Sequence, residues 1–236
     1  MTAGMGARLA GRLWAWVRDY AYVVFWQAHG LVVHQDPAVY QDLSGAHLPP
    51  PRPPVLLLPG VYERWHLMRP VADLLHDLGH PVHVVTRLRW NTAPVVASAE
   101  LIAAHLDKHD LRDVILVAHS KGGLIGKYAM THLDPQERIE RMVAISTPFG
   151  GSVYARLFLV PAVRAFSPSN RTLRLLGDEL RVNHRITSIW SEFDPHIPGG
   201  SSLPGATNVE LPVSGHFRIL AQRELLEAVS LATSDE

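Results

Sequence analysis

The sequence predicts an α/β architecture: a doubly wound, mostly parallel sheet of about six core strands with a helical cap inserted late in the chain. Three observations predict it. Short apolar runs alternate with helical stretches from Val55 to the C-terminal end, as successive βαβ units require. The runs are continuously apolar, so their strands are buried on both faces. The chain has 236 residues, 47% hydrophobic and 19% charged, enough for one sizeable core.

The elements follow in order. "RLWAWVRDYAYVVFWQAHGLVV" (Arg12 to Val33) is aromatic and apolar, but Arg18, Asp19, Gln27 and His29 interrupt it. It matches neither a spanning helix of about 20 apolar residues nor a signal peptide. Two readings stand ahead of a removed signal or a true span. It is a helix packing an apolar stripe on the domain, or a membrane-surface helix. The second places Trp14, Trp16 and Trp26 at the interface, Arg8, Arg12 and Arg18 near headgroups, and peripheral contact through residues 8–33. "HLPPPRPP" (His47 to Pro54) is an extended linker. Residues 1–53 are thus expected as an N-terminal segment and linker, and 54–236 as the main domain.

"VLLLPG" is a buried strand ended by Pro59-Gly60. His66 to Leu78 has helical spacing, with Leu67, Val71, Leu74, Leu75 and Leu78 on one face. "PVHVVTRL" is a second strand, Ala93 to His109 a second helix, and "DVILVA" a third strand. Lys121 to Leu133 is a third helix, stopped by Asp134-Pro135. "IERMVAIS", "ITSIW" and "TNVEL" read as three more strands, and Phe217 to Leu231 as a closing helix. The alternation breaks at about residues 149–182. This stretch is too long for a plain crossover and carries Leu157, Phe158, Leu159, Val160 and Phe166 between proline breaks. It is expected as an apolar cap over the sheet.

Composition excludes several functions. Net charge is +0, with no Lys/Arg block for nucleic acid. There are no cysteines, so no disulfide or Cys-based zinc site forms, and a reducing, cytoplasmic compartment fits. The 14 histidines scatter singly, without HExxH, so no metal is expected.

In such a sheet, ligands bind beyond the carboxyl ends of the strands. After "DVILV" the chain reads Ala118-His119-Ser120-Lys121-Gly122 and becomes helical. A serine on a sharp strand-to-helix turn needs small residues two before and two after it, hence G-x-S-x-G. Alanine replaces the first glycine here and stays small. A serine hydroxyl needs a base, and the base an orienting group. Asp194 in "SEFDPHIP" and His216 in "VSGHF" each follow a predicted strand on the ligand side. Glu192 and Asp178 are the rival acids. His196 is the rival base, set aside because it shares its loop with Asp194. Oxyanion donors are expected from the backbone N–H of Lys121 and of Val61, beside Gly60, with the Lys121 side chain turned to solvent or the cap.

These residues resemble an α/β-hydrolase of the small bacterial lipase/esterase branch, over most of the chain from about Pro54. The resemblance is carried by "LLPGVYE", "AHSKGG", "ISTPFGGS", "SEFDPHIP" and "SGHF". It implies a cofactor-free enzyme with Ser120, Asp194 and His216 as triad and Val61 and Lys121 as oxyanion donors. Phe149 stands where histidine is often found, the extra N-terminal strands of larger members are missing, and Arg12–Val33 has no counterpart. The expected activity is hydrolysis of carboxylic esters with an apolar acyl chain. An acyltransferase using the same acyl-enzyme is the alternative, and a non-catalytic lipid-binding protein is a third reading.

Overall fold

Six strands form one sheet among the described residues of a computed structural model: β1 (Val55–Leu58), β2 (Val82–Val84), β3 (Val114–His119), β4 (Ile139–Ile145), β5 (Ile186–Phe193) and β6 (Thr207–Ser214). The structure describes residues 2–33, 35–44, 52–152, 155, 161–164 and 166–234. The strand order is β2-β1-β3-β4-β5-β6, with every neighbouring pair parallel. Helices α1 (Thr2–Val32), α2 (Arg69–Asp77), α3 (Val95–Lys108), α4 (Lys121–His132), α5 (Pro161–Arg164), α6 (Arg171–Asp178) and α7 (Arg223–Thr233) accompany them.

The sheet divides the core in two. On β3, Val114, Leu116 and Ala118 join the cluster under α3, α4 and α6. Ile115 and Val117 join the cluster under α1, α2 and α7. Alternate residues serve opposite faces because the side-chain period of a strand is two. Each fully buried Leu, Ile or Val here contributes about 1.5–3 kcal/mol. The chain leaves β1 toward β2 in one direction, then crosses back over β1 to β3. Right-handed crossovers in opposite directions place α2 and α3 on opposite faces. The reversal lies between β1 and β3, which is where an open parallel sheet leaves a crevice.

Local chemistry refines the expected boundaries. The helix expected from His66 begins as a 3-10 turn at Trp65–Met68 and becomes α-helical at Arg69, with Pro70 in its first turn. Proline lacks the N–H a helix interior needs but fits a first turn. "PVHVVTRL" supplies only three strand residues before a 3-10 turn at Thr86–Leu88. The closing helix is a 3-10 turn at Arg218–Ala221, then α7 after an extended Gln222. Residues 47–51 of the proline-rich stretch lie outside the described residues, as do Leu157, Phe158, Leu159 and Val160 of the expected cap. Among the described residues, no helix is long and apolar enough to cross a membrane.

Helix α4 approaches the sheet so closely that side chains are excluded. A Cβ on Gly122 would lie 2.0 Å from the Leu58 carbonyl oxygen, and one on Gly123 would lie 2.0 Å from Thr147 Oγ1. On Gly126 it would meet Met142 Sδ at 2.5 Å, the end of a flexible side chain. Gly122→Ala should therefore destabilise the fold by about 3 kcal/mol, the upper range for overpacking, while Gly126→Ala should cost about 1 kcal/mol or less. Urea unfolding midpoints of the two variants check the order.

Candidate active site

Ser120 follows β3 and occupies the N-cap position of α4 with φ 51° and ψ −118°, its side chain making no capping hydrogen bond. For a residue with a Cβ this is a strained conformation, costing about 1–3 kcal/mol. The surroundings enforce it: Ser120 N–H donates to Ile145 O at 2.8 Å on β4, and Gly122 lets α4 start against β1. The side chain is thereby held above the strand ends.

His216 Nε2 lies 3.0 Å from Ser120 Oγ, and its Nδ1 lies 2.7 Å from Asp194 Oδ2. The carboxylate is an acceptor, so Nδ1 carries the proton and the serine hydroxyl donates to Nε2. Asp194 Oδ1 accepts from the N–H groups of His196 at 2.7 Å and Ile197 at 3.0 Å. Burial works against the charge on Asp194, but His216 and these hydrogen bonds overcome it and hold the carboxyl below its usual value. Burial likewise works against the His216 imidazolium, but Asp194 foremost, then Asp19 and Glu63, raise it above an ordinary histidine. The three residues singled out in the sequence thus meet in one hydrogen-bonded line. Glu192 is exposed on β5 and Asp178 is exposed at the end of α6; the acid bonded to His216 is Asp194.

The loop after β1 is organised by a carboxylate that the sequence reading passed over. Glu63 accepts the Gly60 N–H at 2.7 Å and curls over that residue so closely that a Cβ there would meet its Oε1 at 2.3 Å. Glu63 also faces His119 Nδ1 at 2.9 Å, while His119 Nε2 faces the His216 carbonyl oxygen at 2.8 Å. His119 thus bridges the Glu63 carboxylate and the His216 carbonyl oxygen through its two ring nitrogens. Gly60, Glu63, His119 and His216 form a chain behind the triad. The signal was in view: Glu63 and His119 both sit inside motifs quoted for their neighbours.

Lys121 opens α4, so its N–H has no intrahelical acceptor. Its side chain does not turn to solvent or the cap as expected. Nζ donates to Asn91 O at 2.7 Å and to Ala93 O. Burial lowers its pKa to about 8, while carbonyl dipoles hold the ammonium. Asn91 Nδ2 in turn donates to Pro59 O at 2.7 Å, fastening this shelf to the loop after β1. Val61 and Ser120 line the same cavity.

That cavity, about 1150 Å³, is lined by Ser120, His216 and Asp194, by Ala155, Val163 and Phe166 of the cap, and by Arg12, Trp16 and Tyr20 of α1. His196, the base set aside earlier, packs its ring 5.0 Å from that of His216 and 5.1 Å from Trp16. Burial and the neighbouring His216 lower its pKa to about 4, so it is a neutral wall. A second cavity, about 640 Å³, beside Gly30, Trp65 and Trp90 contains none of the three. No group of residues suited to a metal ion occurs among the described residues.

Proteins of known sequence and structure bear on this arrangement. The profile of the lecithin:cholesterol acyltransferase family matches residues 99–163, from α3 through the serine turn into the cap. A Mycoplasma genitalium protein named "Putative esterase/lipase 3" is 22% identical over 169 residues, 65% of this chain and 60% of that protein. Its Mycoplasma pneumoniae namesake is 40% identical over 48 residues, 20% of this chain and 17% of that protein. The alignments thus span less than two thirds of either relative. Among solved structures, the mature lipase BlEst2 of Bacillus licheniformis superposes with TM-score 0.61 and 17% identity, covering 82% of this chain and 97% of that one. Aspergillus fumigatus lipase B gives TM-score 0.66 and 18% identity, covering 82% and 55%.

The chain has the α/β-hydrolase fold.

Within this fold the similarities run to lipase- and esterase-named proteins, and the serine turn falls inside the matched family segment. The buried Glu63–His119 pair gives a direct check on the site's construction. Glu63→Ala would strand His119 Nδ1 and the Gly60 N–H, and should destabilise the protein by about 3 kcal/mol or more. Urea unfolding measures it, and Glu63→Gln should recover part of the loss by keeping an acceptor for one of the two donors.

Proposed function

We propose that this α/β-hydrolase cleaves carboxylic esters with an apolar acyl chain, using Ser120, His216 and Asp194. The observation that carries the reading is the unbroken hydrogen-bond line from Ser120 Oγ through His216 to Asp194, at 3.0 and 2.7 Å, on the wall of an apolar cavity. Ser120 Oγ attacks the ester carbonyl carbon as its proton passes to His216 Nε2. The carbonyl electrons move onto oxygen, which the N–H groups of Lys121 and Val61 receive. As the intermediate collapses, the C–O bond to the alcohol breaks and Nε2 returns the proton to the leaving oxygen. A water then gives its proton to Nε2 and attacks the acyl carbon, releasing the acid and restoring Ser120. Asp194 keeps Nδ1 protonated and stabilises the imidazolium throughout. Ala155, Val163 and Phe166 give the acyl chain an apolar wall. An acyltransferase would share every step up to the acyl-enzyme, and the family profile matched at residues 99–163 carries an acyltransferase name; the esterase and lipase names of the similar proteins favour water as acceptor.

p-Nitrophenyl esters should be hydrolysed, with a chain-length optimum that reports how far the cavity extends. Ser120→Ala and His216→Ala should each lower kcat by about 10⁴-fold or more, and Asp194→Asn should exceed Glu192→Gln in damage. The base works only when neutral. Because Asp194 and the other nearby carboxylates raise His216, kcat/KM should rise with pH through a midpoint above the ordinary histidine value of 6.5. Greater damage from Glu192→Gln, or no ionisation in that range, would contradict the assignments.

The outer face of α1 supports the lipid-surface reading of residues 8–33. Trp14, Val17, Ala21, Val24, Ala28 and Leu31 recur at spacings of three and four and are all exposed, Trp14 at 61% and Val24 at 66%. Around the helix from them, Arg12, Trp16 and Tyr20 line the cavity. Such a helix, lying on an acyl-chain boundary, sets the cavity beside its substrate. The full chain should co-sediment with phospholipid vesicles, and Trp14→Ser with Val24→Ser should abolish that; a wild-type chain that stays in the supernatant refutes it.

A further inference from the structure

An aspartate inside an apolar helix needs a reason. Asp19 lies on α1, and its side chain is fully buried. A buried carboxylate is tolerated only when hydrogen-bonded or paired. Its Oδ2 accepts the backbone N–H of His216 at 3.0 Å, and its Oδ1 accepts those of Phe217 at 2.8 Å and Arg218 at 2.7 Å. The three N–H groups lead into the 3-10 turn at Arg218–Ala221, Phe217 standing at its N-cap, so a carboxylate from another element satisfies the entry of that turn. The preceding Gly215 has φ +114°, and a Cβ there would lie 2.6 Å from Asp19 Oδ1. Glycine at 215 is thus what admits the carboxylate.

The contacts meet the catalytic base from one side while β3 and β5 hold it from the other. His119 Nε2 faces the His216 carbonyl oxygen at 2.8 Å, and Ser191 Oγ donates to the Gly215 oxygen at 2.7 Å. The backbone of His216 is therefore gripped at its N–H by α1 and at its C=O by the serine turn. We propose that Asp19 is a positioning residue of the active site, holding the His216 backbone where Nε2 meets Ser120 and Nδ1 meets Asp194. This rests on the serine-hydrolase reading above.

Asp19 also acts through its charge. The groups facing His216 are Asp194 and His196 from the loop after β5, Glu63 from the loop after β1, His119 from β3 and Asp19 from α1; Arg218 interacts in turn with Asp19, Arg18 and Glu224. Asp19 is among the carboxylates that favour the His216 imidazolium. Removing its charge lowers the pH at which His216 becomes a free base. That sign separates positioning at the site from a general loss of folding.

The test compares full-length Asp19→Asn and Asp19→Ala with wild type, using a p-nitrophenyl ester, and with kcat expressed per serine titrated by a fluorophosphonate. Asp19→Ala should lower kcat about 100-fold with KM little changed, since a small displacement of a catalytic group costs this much. Asp19→Asn keeps one acceptor oxygen and should lose about 10-fold. In both, the kcat/KM midpoint should move to lower pH. A folded Asp19→Asn with wild-type kcat and midpoint overturns the proposal. So does a loss explained wholly by fewer titrated sites, with the midpoint unmoved. If Ser120→Ala instead keeps full activity, the serine-hydrolase reading fails. The Asp19 arm is then judged by NMR titration of the His216 ring: a midpoint lowered by Asp19→Asn sustains the contact, and an unmoved midpoint overturns it.

Discussion

The positive φ at Ser120 is the constraint on which the rest of the site depends. A residue with a side chain does not rest in that conformation unless its neighbours leave no other. Here β3 delivers the chain between β1 and β4, and α4 starts against the Leu58 carbonyl with no Cβ at Gly122 to keep it away. The Ser120 N–H is claimed by Ile145 on β4. Three parallel strands and one helix must all be in register before the serine stands where His216 reaches it. The strain is met by two hydrophobic clusters, one on each face of the sheet.

Around this point buried polar links tie the loops to one another, to the end of β3 and to α1. Glu63 joins Gly60 to His119, His119 joins the serine turn to His216, and Asp19 joins His216 to α1. Lys121 and Asn91 fasten the loop after β2 under the loop after β1. Each link is a buried polar contact with its partner supplied, so little is left to reorganise when charge develops at the substrate. The inner face of α1 thus reaches the candidate site, where Asp19 accepts the His216 N–H. Its outer face presents an apolar stripe, and the cavity lies between them.

Much of this was legible in the sequence. The alternation of apolar runs and helical periods locates the six strands, because buried parallel strands have no polar face to disguise them. Ser120, Asp194 and His216, which the fold brings into one hydrogen-bonded line, each follow a strand on the ligand side. What escaped depends on distance. Asp19 and His216 are 197 residues apart, and nothing local marks an aspartate in a helix as the cap of a turn elsewhere. Lys121 looked like a surface lysine because its cradle comes from Asn91 and Ala93, which the sequence shows only as loop. His196 was set aside by proximity to Asp194, yet the loop folds its ring against that of His216.

The central claim is that Ser120 is a nucleophile activated by His216. The most direct measurement is intact and peptide mass after exposure to a fluorophosphonate, run on wild type and His216→Ala. Wild type should give a single stoichiometric adduct on the peptide carrying Ser120, and the variant little or none. Adduct formation at another residue, or equal labelling of Ser120 without His216, would contradict it.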